Sequence, residues 1–165
     1  MRLFLFLACL LSLNAAAQSP TREHFAPPGW EHAYHTYRYS PVVKVGDTVF
    51  VSGIPAAKGD SDEAKVRWMF EELKRHLAEA GATPADVVEV MSFHVTKDSA
   101  SFGDDMETVS RIAAEYFTSH YPAWTAVATP ALLSKDAPLE LRAVAIIGSG
   151  QRPRARIAAP TGNAK

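Results

Sequence analysis

The segment from residue 60 to 81 constrains the fold most strongly, because it combines a helix start, a single apolar stripe and a helix end. Asp60 or Ser61 supplies an N-cap, Gly81 suits the C′ position, and Pro84 follows shortly afterwards. Apolar residues recur in between at steps of three and four: Val66, Met69, Phe70, Leu73, Leu77 and Ala80. Such a helix needs a matching apolar layer from the rest of the chain. Trp68 lies off the centre of the stripe, which favours contact with a second surface such as a subunit.

The segments around this helix predict a sheet. Five of them have the β-branched and aromatic content of strands: 37–45, 48–52, 87–96, 124–129 and 139–147. Gly46-Asp47 joins the first two as a hairpin turn. Residues 104–117 predict a second amphipathic helix, with Asp104 and Asp105 favouring its N-terminus. The order β-β-α-β-α-β-β indicates an α+β fold, with both helices on one face of a mixed sheet.

The first 17 residues are typical of a secretory signal peptide. Arg2 precedes an apolar run over 3–13, and small residues precede Gln18. A periplasmic or secreted location is therefore expected. A membrane anchor is one alternative, although residues 3–13 rise only roughly 16 Å as a helix, about half the hydrocarbon thickness. A lipoprotein is another, although the apolar run continues beyond Cys9.

The remaining chain divides into an irregular N-terminal arm (18–36), one domain (37–148) and a disordered basic tail (149–165). The tail has four cations and no acid: Arg152, Arg154, Arg156 and Lys165. The domain is thus more acidic than the overall net charge of −1 suggests. This balance argues against nucleic acid as a partner, and no membrane contact is expected after the signal peptide is removed.

Few residues suggest metal or covalent chemistry. Cys9 is the only cysteine, so residues 18–165 offer no disulfide, thiol nucleophile or thiolate ligand. His32 and His35 form an HxxH pair without an evident third ligand. His94 lies on the central predicted strand, where alternation places it on one defined face. No Gly-rich phosphate loop, GxSxG or HExxH is present, and neither a metal nor a cofactor is predicted.

Several motifs between Tyr39 and Ile147, in matching order, resemble the YjgF/RidA family of reactive intermediate deaminases. They are the segments 39–41, 45–47, 49–53, 80–82, 120–127 and 135–145. The resemblance implies a chorismate-mutase-like fold and a homotrimer whose sheets form a central barrel, with small-molecule pockets between subunits. Deaminating members hydrolyse 2-imino or 2-enamino acids to 2-oxo acids and ammonia without a metal or cofactor.

The resemblance also implies site residues. In deaminating members a glutamate positions the attacking water, and Glu140 occupies its place here. Tyr39 matches a pocket tyrosine, and Ser52 and Gly53 match the strand end that completes the site. A pocket arginine, which grips the substrate carboxylate, is replaced by Trp124 in the Pro-Ala-Arg step. An indole has one N–H and no charge, so losing the bidentate pair costs about 2–5 kcal/mol of binding. The chain is therefore expected to be an exported member without the pocket arginine.

Two further features affect the expected activity. Ala126 stands near the position of the family's pocket cysteine, which makes the pocket less polar. Arg142 lies two residues beyond Glu140, so both point to one sheet face. Arg142 either replaces the missing cation as a substrate-binding residue or balances the charge of Glu140 or another acid.

Three functions remain open. The first is a trimer that binds a small, flat or neutral ligand against Trp124, with weak or no deamination. The second is an imine or enamine hydrolase of altered specificity that uses Glu140 as base and Arg142 or Tyr39 for the substrate. The third is a structural or protein-interacting trimer.

Overall fold

A computed structural model describes residues 19–158 of the chain. The predicted signal peptide and the end of the predicted tail lie outside these residues. The described part forms a six-stranded sheet of order β1-β2-β3-β6-β4-β5, antiparallel except for the β4–β5 pair. Its strands are β1 (Arg22–Phe25), β2 (Val42–Val45), β3 (Thr48–Pro55), β4 (Val87–Val95), β5 (Ala123–Thr129) and β6 (Leu139–Ile146). Its helices are α1 (Glu31–His35), α2 (Asp62–Glu79) and α3 (Ser99–Ala113), with 3₁₀ turns at Pro84–Asp86 and Ser149–Gln151. The predicted α+β fold is confirmed.

Helix α2 begins and ends where its sequence signals predict. The Ser61 hydroxyl accepts a hydrogen bond from the Ala64 N–H at 3.2 Å and so caps the first turn. Gly81, with a φ of +81°, follows the helix in the left-handed conformation that favours glycine. The apolar stripe is buried against the sheet. Local chemistry therefore accounts for this element.

Helix α3 starts at Ser99, five residues before the predicted start. The Asp98 carboxylate accepts from the Ser101 N–H at 2.9 Å, and Ser101 bonds back to the Asp98 N–H, which completes a capping box. Asp104 and Asp105 lie inside the helix, so their predicted place at its N-terminus was wrong. Ser99, Ser101 and Gly103 have low helix propensity and obscure the first turn in the sequence.

The segment 18–36 was predicted to be irregular, and this was wrong for β1 and α1. Strand β1 pairs with the edge of β2 over four residues. The predicted strand 37–45 becomes regular only at Val42. The tail was likewise predicted to be disordered from 149, but it begins with the 3₁₀ turn Ser149–Gln151, in which the Gly150 N–H donates to the Asp86 carboxylate at 3.2 Å.

The two faces of the sheet differ. Helices α2 and α3 cover one face, whose strand residues include Val49, Val51, Ile54, Val90, Leu139, Leu141, Ala143 and Ala145. The opposite face bears no helix in the described part of the chain. On it Phe50, Val127 and Ile146 are 40–42% exposed. Among residues 19–158, no helix is long and apolar enough to cross a membrane.

Candidate functional site

A β-bulge in β3 shapes the centre of the site. The pairing with β6 shifts between Val51 and Ile54, so that β3 contains one extra residue there. The Ser52 hydroxyl donates to the Ser40 carbonyl at 2.7 Å, and the Ser52 N–H donates to the Pro41 carbonyl at 2.9 Å. These bonds hold the bulge against the segment before β2, so the Ser52 hydroxyl is used to fix the backbone.

Gly53 in the bulge lies directly beneath Glu140. A Cβ atom at position 53 would overlap the Glu140 carboxylate and crowd its Cγ. Glu140 belongs to β6 and pairs in register with Pro55 on one side and Phe93 on the other. Because any side chain at position 53 would fill this space, the glycine allows the carboxylate to lie across the strand.

The site changes the acidity of its two titratable groups. Burial raises the pKa of Glu140. Burial also raises the pKa of Tyr39, and the nearby Glu140 charge and Tyr37 add to the increase. The Tyr39 N–H donates to the Ala33 carbonyl at 3.2 Å, after a left-handed turn at Arg38 with a φ of +62°. A carboxylate with a raised pKa is a better general base near neutral pH, and a raised phenol pKa keeps Tyr39 a hydrogen-bond donor.

Two adjoining cavities meet at this centre and share Tyr39, Gly53, Leu133 and Glu140. One, of about 540 Å³, lies on the open sheet face beside Ser52, Phe93 and Thr129. The other, of about 360 Å³, extends around the end of the sheet to Trp30, Tyr37, Lys58 and Trp68. Both volumes suit a small organic molecule.

Trp124 does not join this site within one chain. Its indole N–H donates to the Ser92 hydroxyl at 2.9 Å, on the face that α3 covers. Ser92 is fully buried and also contacts the His94 Nε2 atom at 2.9 Å. Because strand alternation places Trp124 and Glu140 on opposite faces, a pocket that contains both requires two copies of the chain.

Arg142 shares the open face with Glu140, as its spacing predicts, but its guanidinium lies 3.4 Å from the Glu89 carboxylate. It lines neither of the two cavities. Within one chain, Arg142 therefore pairs with an acid other than Glu140.

The structure also brings in residues that the motifs did not indicate. Lys58 and Trp68 line the smaller cavity, and the Lys58 ammonium lies 5.2 Å from the centre of the Trp68 ring. The off-stripe position of Trp68 was the only signal in the sequence. His32 lines the same cavity, but residues 19–158 contain no cluster of three or more potential metal ligands, so the HxxH pair gains no third ligand there.

The sequence of this chain is similar to that of known proteins. Residues 31–147 match the family model described as Endoribonuclease L-PSP. The RutC family protein YjgH of Escherichia coli is 32% identical over 127 residues, which cover 73% of this chain and 92% of that protein. A RutC family protein of Pyrococcus abyssi is 36% identical over 115 residues, covering 65% of this chain and 84% of that protein.

The fold is also similar to that of solved structures from this family. Protein YJGH superimposes with a TM-score of 0.65 at 30% identity, covering 76% of this chain and 96% of its own. Rv2704 of Mycobacterium tuberculosis, a member of the YjgF/YER057c/UK114 family, gives a TM-score of 0.65 at 27% identity, covering 77% and 100%.

Proposed function

Because the chain belongs to the Endoribonuclease L-PSP family, which includes the YjgF and RidA proteins, we propose that it is a homotrimer that binds small molecules between its subunits. The observation that carries this proposal is the cleft at Gly53, where Glu140 and Tyr39 meet beside two open cavities. A β-bulge with a purely structural role does not require an ionisable side chain such as Glu140 to lie half-buried against Gly53.

The open face of the sheet supports the oligomer. Phe50, Val127 and Ile146 lie on it with Phe93, and Glu140 borders the same surface. Exposed apolar side chains on a sheet face that no helix covers are typical of a subunit interface. The opposite orientation of Trp124 also fits a pocket whose walls come from two chains.

The proposed ligand is small and flat. Trp124 carries no charge, and its single N–H is already bonded to Ser92, so it can offer a ligand only the face of its ring. We therefore expect binding to exceed deamination. Nucleic acid is not part of the proposal, because the domain is acidic.

Imine hydrolysis is the second candidate, and the raised pKa of Glu140 favours it. In this reaction the carboxylate accepts a proton from water as the water oxygen attacks the C=N carbon. The carboxylate passes this proton to the nitrogen, which gives the carbinolamine. The hydroxyl proton then moves to the nitrogen through the same carboxylate as the C–N bond breaks and the C=O bond forms, so that ammonia and a 2-oxo acid result. Tyr39 can donate a hydrogen bond to the substrate, but no cation directly beside Glu140 holds the substrate carboxylate, so the rate should be low.

The experiment generates a 2-imino acid in situ with an amino-acid oxidase and follows its loss with purified protein. Acceleration that disappears in Glu140→Gln would establish the hydrolase, and no acceleration over buffer would remove it. Trp124→Arg should gain activity if the pocket arginine is the only group that the site lacks. Sedimentation tests the trimer, and a stable monomer would contradict the whole proposal. A trimer with no ligand and no activity would indicate the structural role instead.

We also propose an exported protein, on the strength of residues 1–17. Cell fractionation with N-terminal sequencing of the mature chain tests this directly. A full-length N-terminus in the cytosolic fraction would contradict it.

A further inference from the structure

A ligand carboxylate in the cleft needs a cation, and the two candidates suggested by the motifs are both engaged elsewhere. Trp124 has replaced the arginine and donates its N–H to Ser92 on the helix-covered face. Arg142 is paired with Glu89 and lies outside both cavities. Within one chain, a charge that recognises an anionic ligand beside Glu140 therefore comes from another residue.

Lys58 is the lysine that lines the same cavity as Glu140. Its ammonium lies over the Trp68 ring at 5.2 Å from the centroid, and none of the ion pairs among residues 19–158 involves it. A cation–π contact restrains a lysine without using all of its N–H donors. The ammonium is thus held at the cavity with donors left for an anion.

The walls of this cavity are aromatic. Trp30, Tyr37, Tyr39 and Trp68 line it. Trp30 is fixed in place, because its N–H donates to Glu72 at 2.9 Å and its ring packs edge-on against His76 at 4.7 Å between ring centres. A volume of about 360 Å³ between flat rings suits a planar ligand of one or two rings.

The position of Lys58 also sets the orientation of a ligand. Glu140 lies against Gly53 in the bulge, whereas Lys58 lies beyond Pro55, where β3 ends. A ligand carboxylate is repelled by the Glu140 charge and attracted by the Lys58 charge. It should therefore lie at the Lys58 end, with the remainder of the ligand directed toward Glu140.

We propose that Lys58, held over Trp68, is the anion-binding residue of this cleft, and that the cleft takes a carboxylate that carries a planar aromatic ring. This inference rests on the proposed small-molecule function and specifies its ligand class. It predicts recognition by one point charge and stacking, and not by a bidentate guanidinium pair.

Calorimetric titration of the full mature protein with phenylacetate and phenylacetamide tests the charge, because the two probes have nearly the same shape. Phenylacetate should bind about three- to tenfold more tightly, and this preference should fall as salt is added. Lys58→Gln should remove the preference, so that the two probes bind with equal affinity, whereas Lys58→Arg should retain it. Lys74→Gln is the matched control, since Lys74 lies on α2 and does not line the cavity.

Equal affinity for the two probes, or a preference that survives in Lys58→Gln, would overturn the role of Lys58 while leaving the small-molecule function intact. Failure of both probes to bind would overturn the proposed ligand class. Sedimentation then shows separately whether the proposed trimer has failed as well, because the oligomeric state does not depend on the charge of Lys58.

Discussion

Replacing Gly53 with alanine tests the steric basis of the site. Nothing indicates a backbone penalty, because Gly53 is not among the residues with positive φ. The added methyl group instead overlaps the Glu140 carboxylate, which must turn away from the bulge. Overpacking of this kind costs about 1–3 kcal/mol, and the lower half of that range applies here because the side chain can rotate. We expect a loss of about 1–1.5 kcal/mol in the free energy of unfolding.

A double-mutant cycle isolates this clash. Urea unfolding of Gly53→Ala is measured in the original chain and in a Glu140→Ala background. Without the carboxylate the methyl group has room, so the cost of Gly53→Ala should fall by about 1 kcal/mol. Gly103→Ala is the control: it lies in α3 with nothing within 4 Å of the new Cβ, and it should stabilise the protein by up to about 1 kcal/mol.

An equal cost of Gly53→Ala in both backgrounds would refute the steric reasoning. The same variant should also lose any imine hydrolysis to the level of Glu140→Gln, because the base has left its position. Activity retained in Gly53→Ala would show that Glu140 does not act from the place where the bulge holds it.

Four other outcomes are expected. Ser61→Ala removes the N-cap of α2 and should cost about 1 kcal/mol in urea unfolding, whereas Ser61→Asp should not. Phe50→Asp places a charge on the open sheet face and should convert the proposed trimer to monomers in sedimentation, with far-UV circular dichroism unchanged. Glu140→Gln should become relatively more stabilising as the pH rises above the ordinary pKa of a glutamate. Burial raises the pKa of Glu140, so the folded state favours the protonated acid and the original chain loses stability as the pH rises from the unfolded to the folded pKa. Trp30→Phe removes the hydrogen bond to the buried Glu72 carboxylate and should cost about 1–3 kcal/mol, and an unchanged unfolding midpoint would contradict the docking of the N-terminal arm.

The position of Trp124 shows what a sequence motif can and cannot predict. Its place at the start of β5 was predicted, and the strand does begin at Ala123. A motif match, however, gives only a position along the chain. The hydrogen bond to Ser92 shows that the indole belongs to the helix-covered layer. Within one chain it lines a cavity beside α3 with Phe117, away from the cleft at Gly53.

The sequence by itself determined the elements with local causes. The Ser61 cap, the apolar stripe and Gly81 define α2, and alternation predicts that Glu140 and Arg142 share a face. These signals act over one or two turns or between neighbouring residues, so they can be seen in any short window.

Only the tertiary structure decided the features that depend on distant partners. Strand β1 has weak strand signals and exists because the edge of β2 offers unpaired backbone groups. Arg142 pairs with Glu89, and Lys58 lies over the Trp68 ring, because the fold brings these distant residues together. Contacts between residues far apart in the chain depend on the packing of whole elements, and no local periodicity records them.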